Sequence, residues 1–154
     1  MFTLVRQIDF KSEDYQKAMD LRSRVLREPL GLRYTPEDLA RESDGVHIGA
    51  FNGDQIQGYL MLLPVTKTVV KMRQVAVSPN LQGTGIGKKL VTFAEDIAKS
   101  LGFEEIELHA RETAIPFYLA LGYSERGVQF IEVTLPHRKM TKHLLNWPPT
   151  HLID

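Results

Sequence analysis

Residues 73–90 read Arg-Gln-Val-Ala-Val-Ser-Pro-Asn-Leu-Gln-Gly-Thr-Gly-Ile-Gly-Lys-Lys-Leu and carry the clearest chemistry in the chain. Val75, Ala76 and Val77 form a small, β-leaning stretch. Ser78-Pro79-Asn80 stops it, because proline has no N–H to give a sheet and asparagine favours turns. Gly83, Gly85 and Gly87 then alternate with Thr84 and Ile86, and a long amphipathic helix follows. A glycine-rich turn that opens a helix aims unpaired backbone N–H groups outward. The positive end of the helix dipole adds to them, which makes an anion site, most naturally for phosphate. Three phosphate-binding patterns compete for this turn. The P-loop pattern fails at Gln82, where it needs glycine, and at Lys89, where it needs a hydroxyl. The dinucleotide fingerprint Gly-x-Gly-x-x-Gly fails at Lys88. The pattern Gln/Arg-x-x-Gly-x-Gly/Ala is met in full by Gln82, Gly85 and Gly87.

The rest of the chain has to position this turn. Its 154 residues suit one ordinary domain with its own core, and we expect a single domain over 1–154 with a loosely held tail at 145–154. Acids and bases balance at 19 each, so the basic footprint of a nucleic-acid-binding domain is missing. There is no cysteine, which excludes disulfides, thiolate metal sites and a cysteine nucleophile. No metal is implied. No apolar run is long enough to span a bilayer, and Met1 to Arg6 reads as a strand and not as a signal peptide. These features together suggest a cytoplasmic protein without nucleic-acid or membrane partners.

A strand is expected from Thr3 to Phe10, then a helix from about Glu13 to Arg27 capped by Ser12, with Pro29 and Gly31 ending it. Thr35-Pro36-Glu37-Asp38 starts a short helix that stops near Asp44-Gly45. Strands follow from Val46 to Phe51 and from Gln55 to Val65 around an Asn52-Gly53 turn, and a third runs from Val69 to Val77. The helix after the glycine turn carries Ile86, Leu90, Phe93, Ala94, Ile97 and Leu101 on one face and stops at Gly102. A strand runs from Phe103 to Ala110, and Thr113 is the expected cap of a short helix that stops at Gly122. Two strands around a break at Leu135-Pro136 complete the order. The pattern predicts an α/β fold on a sheet of mixed direction, with its parallel part around the glycine turn.

The Gln82–Gly87 pattern and the strand before it resemble the pyrophosphate loop and acetyl-CoA-binding strand of the GCN5-related N-acetyltransferases (GNAT). A second segment, Ala114-Ile-Pro-Phe117-Tyr118-Leu-Ala-Leu-Gly122-Tyr123, resembles the family's Ala-x-x-Phe-Tyr-x-x-x-Gly-Phe. The resemblance extends over nearly the whole chain. One departure is Arg111, which stands where the family often has asparagine; it could instead reach a CoA phosphate. The segment Glu132 to Met140, with Pro136-His137, is loosely similar to the ElaA-like subgroup of small bacterial acetyltransferases.

The resemblance implies a mixed, mostly antiparallel sheet of six to seven strands flanked by about four helices. It also implies an N-acetyltransferase that moves an acetyl group from acetyl-CoA, as cosubstrate, to a primary amine by direct attack. The amine would be a small molecule or a peptide, and the protein a monomer or homodimer. The cofactor-binding set would be Val75, Ala76, Val77, Gln82, Gly83, Thr84, Gly85, Ile86, Gly87, Lys88, Arg111, Phe117 and Tyr118. A backbone N–H of the Val75–Val77 strand would stabilise charge on the thioester oxygen. Tyr118 matches the family's proton donor to the leaving thiolate. Lys88 and Lys89 either add charge at the phosphates or face solvent.

A lysine-like amine needs a base, since neutralising a group of pKa roughly 10.4 at pH 7 costs about 4.6 kcal/mol. Glu132, His137, His109, Glu42 and Glu28 are the candidates, and no motif fixes any of them. His137 ranks first among the histidines and joins Glu132 and Tyr118 in the expected catalytic set. His109 reads as a structural histidine, and Glu28 and Glu42 as solvated helix residues. A non-catalytic acyl-CoA sensor on the same fold is the alternative.

Overall fold

A computed structural model of the chain describes residues 2–144. The expected tail at 145–154 lies outside the described residues. Seven strands are hydrogen-bonded in the order β1-β2-β3-β4-β5-β7-β6. They are β1 (Leu4–Ile8), β2 (Val46–Asn52), β3 (Gln55–Pro64), β4 (Val69–Val77), β5 (Glu105–Arg111), β6 (Ser124–Glu132) and β7 (Leu135–His143). The α-helices among the described residues are α1 (Glu13–Arg22), α2 (Pro36–Ala40), α3 (Ile86–Ser100) and α4 (Ile115–Ala120). The mixed α/β sheet flanked by four helices is the fold expected above.

The chain forms two compact units, residues 2–63 with 72–94 and residues 64–71 with 95–144. In the first unit β1, β2 and β3 pair antiparallel, with Val5 opposite Ala50 and Gly49 opposite Tyr59. Ser12 caps α1 by accepting from the Tyr15 N–H at 3.1 Å. The apolar stripe of α1 then packs Tyr15, Ala18, Met19 and Leu21 with Ile8, Phe51, Tyr59 and Met61. On α3, Ile86, Leu90, Val91 and Ala94 are buried. Gly58 is what lets this helix lie close. A Cβ there would meet Leu90 Cδ1 at 2.8 Å, Ile86 Cγ2 at 3.2 Å and the Ala76 carbonyl oxygen at 3.3 Å. The first turn of α3 is therefore seated directly on β3, and the glycine turn before it is held by that contact.

In the second unit β5 is central. It runs parallel to β4 over Val69–Lys71 against Glu105–Glu107, and antiparallel to β7 from Glu105↔His143 to Arg111↔His137. Alternation buries Ile106, Leu108 and Ala110 and leaves Glu107, His109 and Arg111 together on the other face. Glu95 closes the buried side. It accepts from Tyr123 Oη at 2.9 Å and from Lys142 Nζ at 3.1 Å.

Several expectations are corrected. The first helix stays α-helical only to Arg22, then widens to a π turn over Ser23–Arg27 and tightens to a 3-10 turn over Glu28–Leu30. The second helix stops at Ala40, well before Asp44. Thr113 caps nothing: it lies inside a 3-10 turn, and Ala114 occupies the N-cap of α4. Leu101 is 56% exposed, and the buried face of α3 instead takes in Val91 and Ala98. The break near the C-terminus falls at Val133-Thr134, both with positive φ, while Pro136 lies within β7 opposite Ile131. Glu42 is not a solvated residue. Both its oxygens accept from the Arg22 guanidinium, at 2.9 and 2.6 Å, and both side chains are buried.

Candidate active site

In the first unit, β4 leads directly into the glycine turn. The Ser78 N–H donates to the Gln57 carbonyl at 2.9 Å, which fastens the end of the strand to β3. A 3-10 turn over Pro79–Leu81 follows. The Gln82 side-chain amide donates back to the Val77 carbonyl at 3.2 Å, so this glutamine braces the loop from within. The Thr84 N–H and hydroxyl both donate to the Leu81 carbonyl. Gly83 and Gly85 adopt φ of 83° and 94°, a region open to glycine at little steric penalty, and a Cβ at either would meet nothing within 4 Å. Helix geometry leaves the Ile86, Gly87 and Lys88 amides without an intrahelical acceptor. The turn thus leaves main-chain donors without helical partners at the positive end of a 15-residue helix, as an anion site requires. Ile86 is buried and anchors the turn, while Lys88 is exposed at its rim.

The strand itself is kinked. Gln74, inside β4, has φ of 58°, a left-handed conformation that costs a non-glycine residue about 1–3 kcal/mol. Val75 and Val77 are half-buried and Ala76 is buried. The kink therefore falls immediately before the three residues named from sequence as the cofactor-binding strand.

The second unit gathers the titratable candidates on the polar face of β5, β6 and β7. Glu132 stands between two imidazoles, with Oε1 3.1 Å from His109 Nδ1 and Oε2 3.9 Å from His137 Nε2. Phe130 packs against both rings, edge-on to His109 and stacked on His137. Lys71 Nζ lies 3.3 Å from the same His109 Nδ1. That nitrogen cannot donate to Glu132 and accept from Lys71 at once, so the two contacts belong to different proton arrangements. Burial raises the Glu132 pKa, but the His109 hydrogen bond and the charges of His109, Lys71 and His137 outweigh it and hold the carboxyl below its ordinary range. It is a carboxylate at neutral pH. In that state it orients His109, with Nδ1–H toward Glu132 and Nε2 left as the basic nitrogen.

His137 is placed differently. Its Nδ1 donates to the Leu135 carbonyl at 2.8 Å, and its side chain is only 4% exposed against 25% for His109. Beside it, Glu112, Ile115, Glu125, Gln129 and Arg138 line a cavity of about 260 Å³. Arg111 lies opposite His137 in the β5–β7 register. Tyr118 is buried, edge-on to Phe117 and Tyr123, and burial pushes its hydroxyl well above the ordinary tyrosine pKa. Among the described residues no hydrogen bond joins Tyr118 to the Glu132 cluster.

The structure thus brings Val75–Val77 and the glycine turn together in one unit, and Glu132, His109 and His137 together in the other. Lys71 was missed from sequence, and His109 was set aside. The signal was present in the alternation of Glu107, His109 and Arg111, which places three polar groups on one strand face.

The acetyltransferase (GNAT) family profile matches residues 11–123. The chain belongs to this family. An uncharacterised acetyltransferase of Streptococcus pyogenes is 26% identical over 110 residues, which cover 71% of this chain and 75% of that protein. The uncharacterised protein YyaT of Bacillus subtilis is 32% identical over 74 residues, 48% of this chain, and the match spans 50% of its length. A Lactobacillus plantarum structure described as a candidate N-acetyltransferase superposes with a TM-score of 0.83 at 26% identity, covering 93% of this chain and 99% of that one. Escherichia coli ElaA, at 20% identity and a TM-score of 0.76 over 92% and 99% of the two chains, shares the GNAT fold. In this GNAT chain the family profile spans the kinked strand, the glycine turn and Tyr118.

Proposed function

We propose that the protein transfers an acetyl group from acetyl-CoA to a primary amine by direct attack within a ternary complex. The observation that carries this reading is the kinked strand leading into the glycine turn, with Gly83 and Gly85 at positive φ and open space beyond them. That cradle fits a diphosphate: its donors are main-chain amides, and no side chain fills the space above the two glycines. When bound, acetyl-CoA would supply an activated acyl group whose thiolate leaves as the amine nitrogen bonds to the carbonyl carbon.

The chain's own residues have four tasks. The amides of the turn, those of Gly83 and of Gly85 to Lys88, hold the diphosphate, while the Thr84 N–H stays on the Leu81 carbonyl, and Lys88 adds charge at the rim. An N–H of Val75–Val77, turned out by the kink at Gln74, donates to the carbonyl oxygen as it gains charge. His109, oriented by Glu132, accepts the ammonium proton, and His137, whose Nδ1–H is committed to the Leu135 carbonyl, packs beside them against Phe130. Tyr118 donates a hydrogen bond to the departing sulfur. Burial raises its pKa, which keeps the hydroxyl protonated and able to donate at neutral pH.

The test is calorimetry with coenzyme A and thiol release from acetyl-CoA over a panel of primary amines. Binding with amine-dependent thiol release is expected, and Gly85→Val should abolish both. Binding without release from any amine would indicate an acyl-CoA sensor. Absence of binding would remove the reading altogether.

A further inference from the structure

The left-handed kink at Gln74 needs something to hold it, since a glutamine gains nothing from φ of 58° by itself. The first unit contains a direct clamp. Tyr34 Oη donates to the Gln74 side-chain carbonyl at 2.5 Å, forty positions away in sequence. The Tyr34 ring is itself held. The Arg22 guanidinium carbon lies 4.3 Å from the ring centroid and that of Arg27 4.6 Å. Arg22 is fully buried and fixed by two hydrogen bonds to Glu42. The line from Glu42 through Arg22 and Tyr34 to Gln74 is continuous. It starts at the buried ion pair between α1 and the turn after α2 and ends one residue before Val75.

We infer that Tyr34 is a positioning residue: its hydroxyl holds Gln74 in the kink that aims the following β4 amide, and the Arg22–Glu42 pair holds Tyr34. The inference rests on the acetyl-transfer reading for its effect on rate, but the clamp is a property of the folded chain. It makes a prediction that general stabilisation does not. The hydroxyl matters only because residue 74 is not glycine. With glycine at position 74 the kink is freely adopted, and the clamp becomes redundant.

The experiment compares wild type, Tyr34→Phe, Gln74→Gly and the double variant. Coenzyme A affinity is read by calorimetry, kcat by thiol release, and hydrogen exchange is followed at the amides of residues 74–76. For Tyr34→Phe we expect kcat to fall about tenfold. Coenzyme A affinity should stay within about twofold, because the glycine turn is untouched. Exchange at 74–76 should quicken. The double variant should recover most of the lost rate and protection.

An unchanged kcat in Tyr34→Phe would overturn the inference, as would a double variant no better than Tyr34→Phe. Should wild type itself release no thiol from acetyl-CoA, the acetyl-transfer reading fails separately. The clamp is then judged by exchange alone: faster exchange in Tyr34→Phe with recovery in the double variant upholds it, and equal exchange in all four proteins removes it.

Discussion

At the scale of single residues, the Glu132 cluster divides labour between groups of similar type. Glu132 is held ionised by His109, Lys71 and His137, so it is poorly suited to taking a proton and well suited to orienting an imidazole. His109 is the more exposed ring and shares the shorter contact with the carboxylate. His109→Asn should therefore lower kcat/KM by about a hundredfold, the lower end of what general acid–base help is worth. Glu132→Gln, which keeps an acceptor but loses the charge, should cost less, about tenfold. Rate against pH on both variants checks this, and an undiminished His109→Asn enzyme would pass the role to another group.

Tyr118 makes a different prediction. Tyr118→Phe keeps the ring packing against Phe117 and Tyr123, so coenzyme A affinity should hold while turnover falls about tenfold. Full turnover with the native amine would exclude Tyr118 from the reaction. This residue could be named from sequence because a motif carries it. His109 could not be promoted, because its partner Glu132 lies on another strand 23 positions away and only the sheet register joins them.

At the scale of elements, the glycine turn works because α3 is seated correctly. Gly58 sets that seat, and it is the position where the protein can be tested without touching the turn. A valine there would push against Leu90 and Ile86 and, less yieldingly, against the Ala76 carbonyl. Overpacking of this kind costs about 1–3 kcal/mol. Because the displaced element is α3, coenzyme A affinity should fall along with the thermal midpoint. A stable Gly58→Val protein that binds as well as wild type would show that the turn tolerates movement of its helix.

The elements around the turn were legible in sequence for local reasons: proline stops, glycine turns, caps and periodicity all act within a few residues. The buried Arg22–Glu42 pair was not, because composition shows only an arginine-rich helix with acids nearby, and burial is decided by the sheet beneath it. The β6–β7 turn was misplaced for a similar reason. Val133-Thr134 has no turn chemistry of its own, and the pairing of Ile131 with Pro136 forces the left-handed backbone there.

At the scale of the whole molecule, the buried and paired titratable groups favour stability in a middle pH window. His47 is buried, and burial is the main reason its pKa is lowered. Its ring bridges Tyr59 Oη at 2.7 Å and the Glu42 carbonyl at 3.0 Å. Nε2 is therefore the donor to Glu42 and Nδ1 the acceptor from Tyr59. A group whose folded pKa lies below its unfolded value stabilises above the unfolded pKa, about 6.5 for histidine, and loses that contribution as pH falls toward the folded value. Glu132 and Asp38 are shifted the same way and extend the loss into the carboxylate range.

Tyrosines close the window from the other side. Burial, helped by Glu42, pushes Tyr15 up to about 12, and burial also raises Tyr59, Tyr118 and Tyr123. A raised pKa contributes stability below the unfolded value of about 10 and forfeits it as pH rises through the folded one. The thermal midpoint should hence be flat near neutrality, begin to fall below about pH 6.5 and fall again above about pH 10. His47→Gln should abolish the onset near 6.5 and leave only the later carboxylate loss, at a lower midpoint throughout, because the bridge between Tyr59 and Glu42 is weakened. A wild-type midpoint that stays level down to pH 5 would mean that His47 accepts its proton without disturbing that bridge.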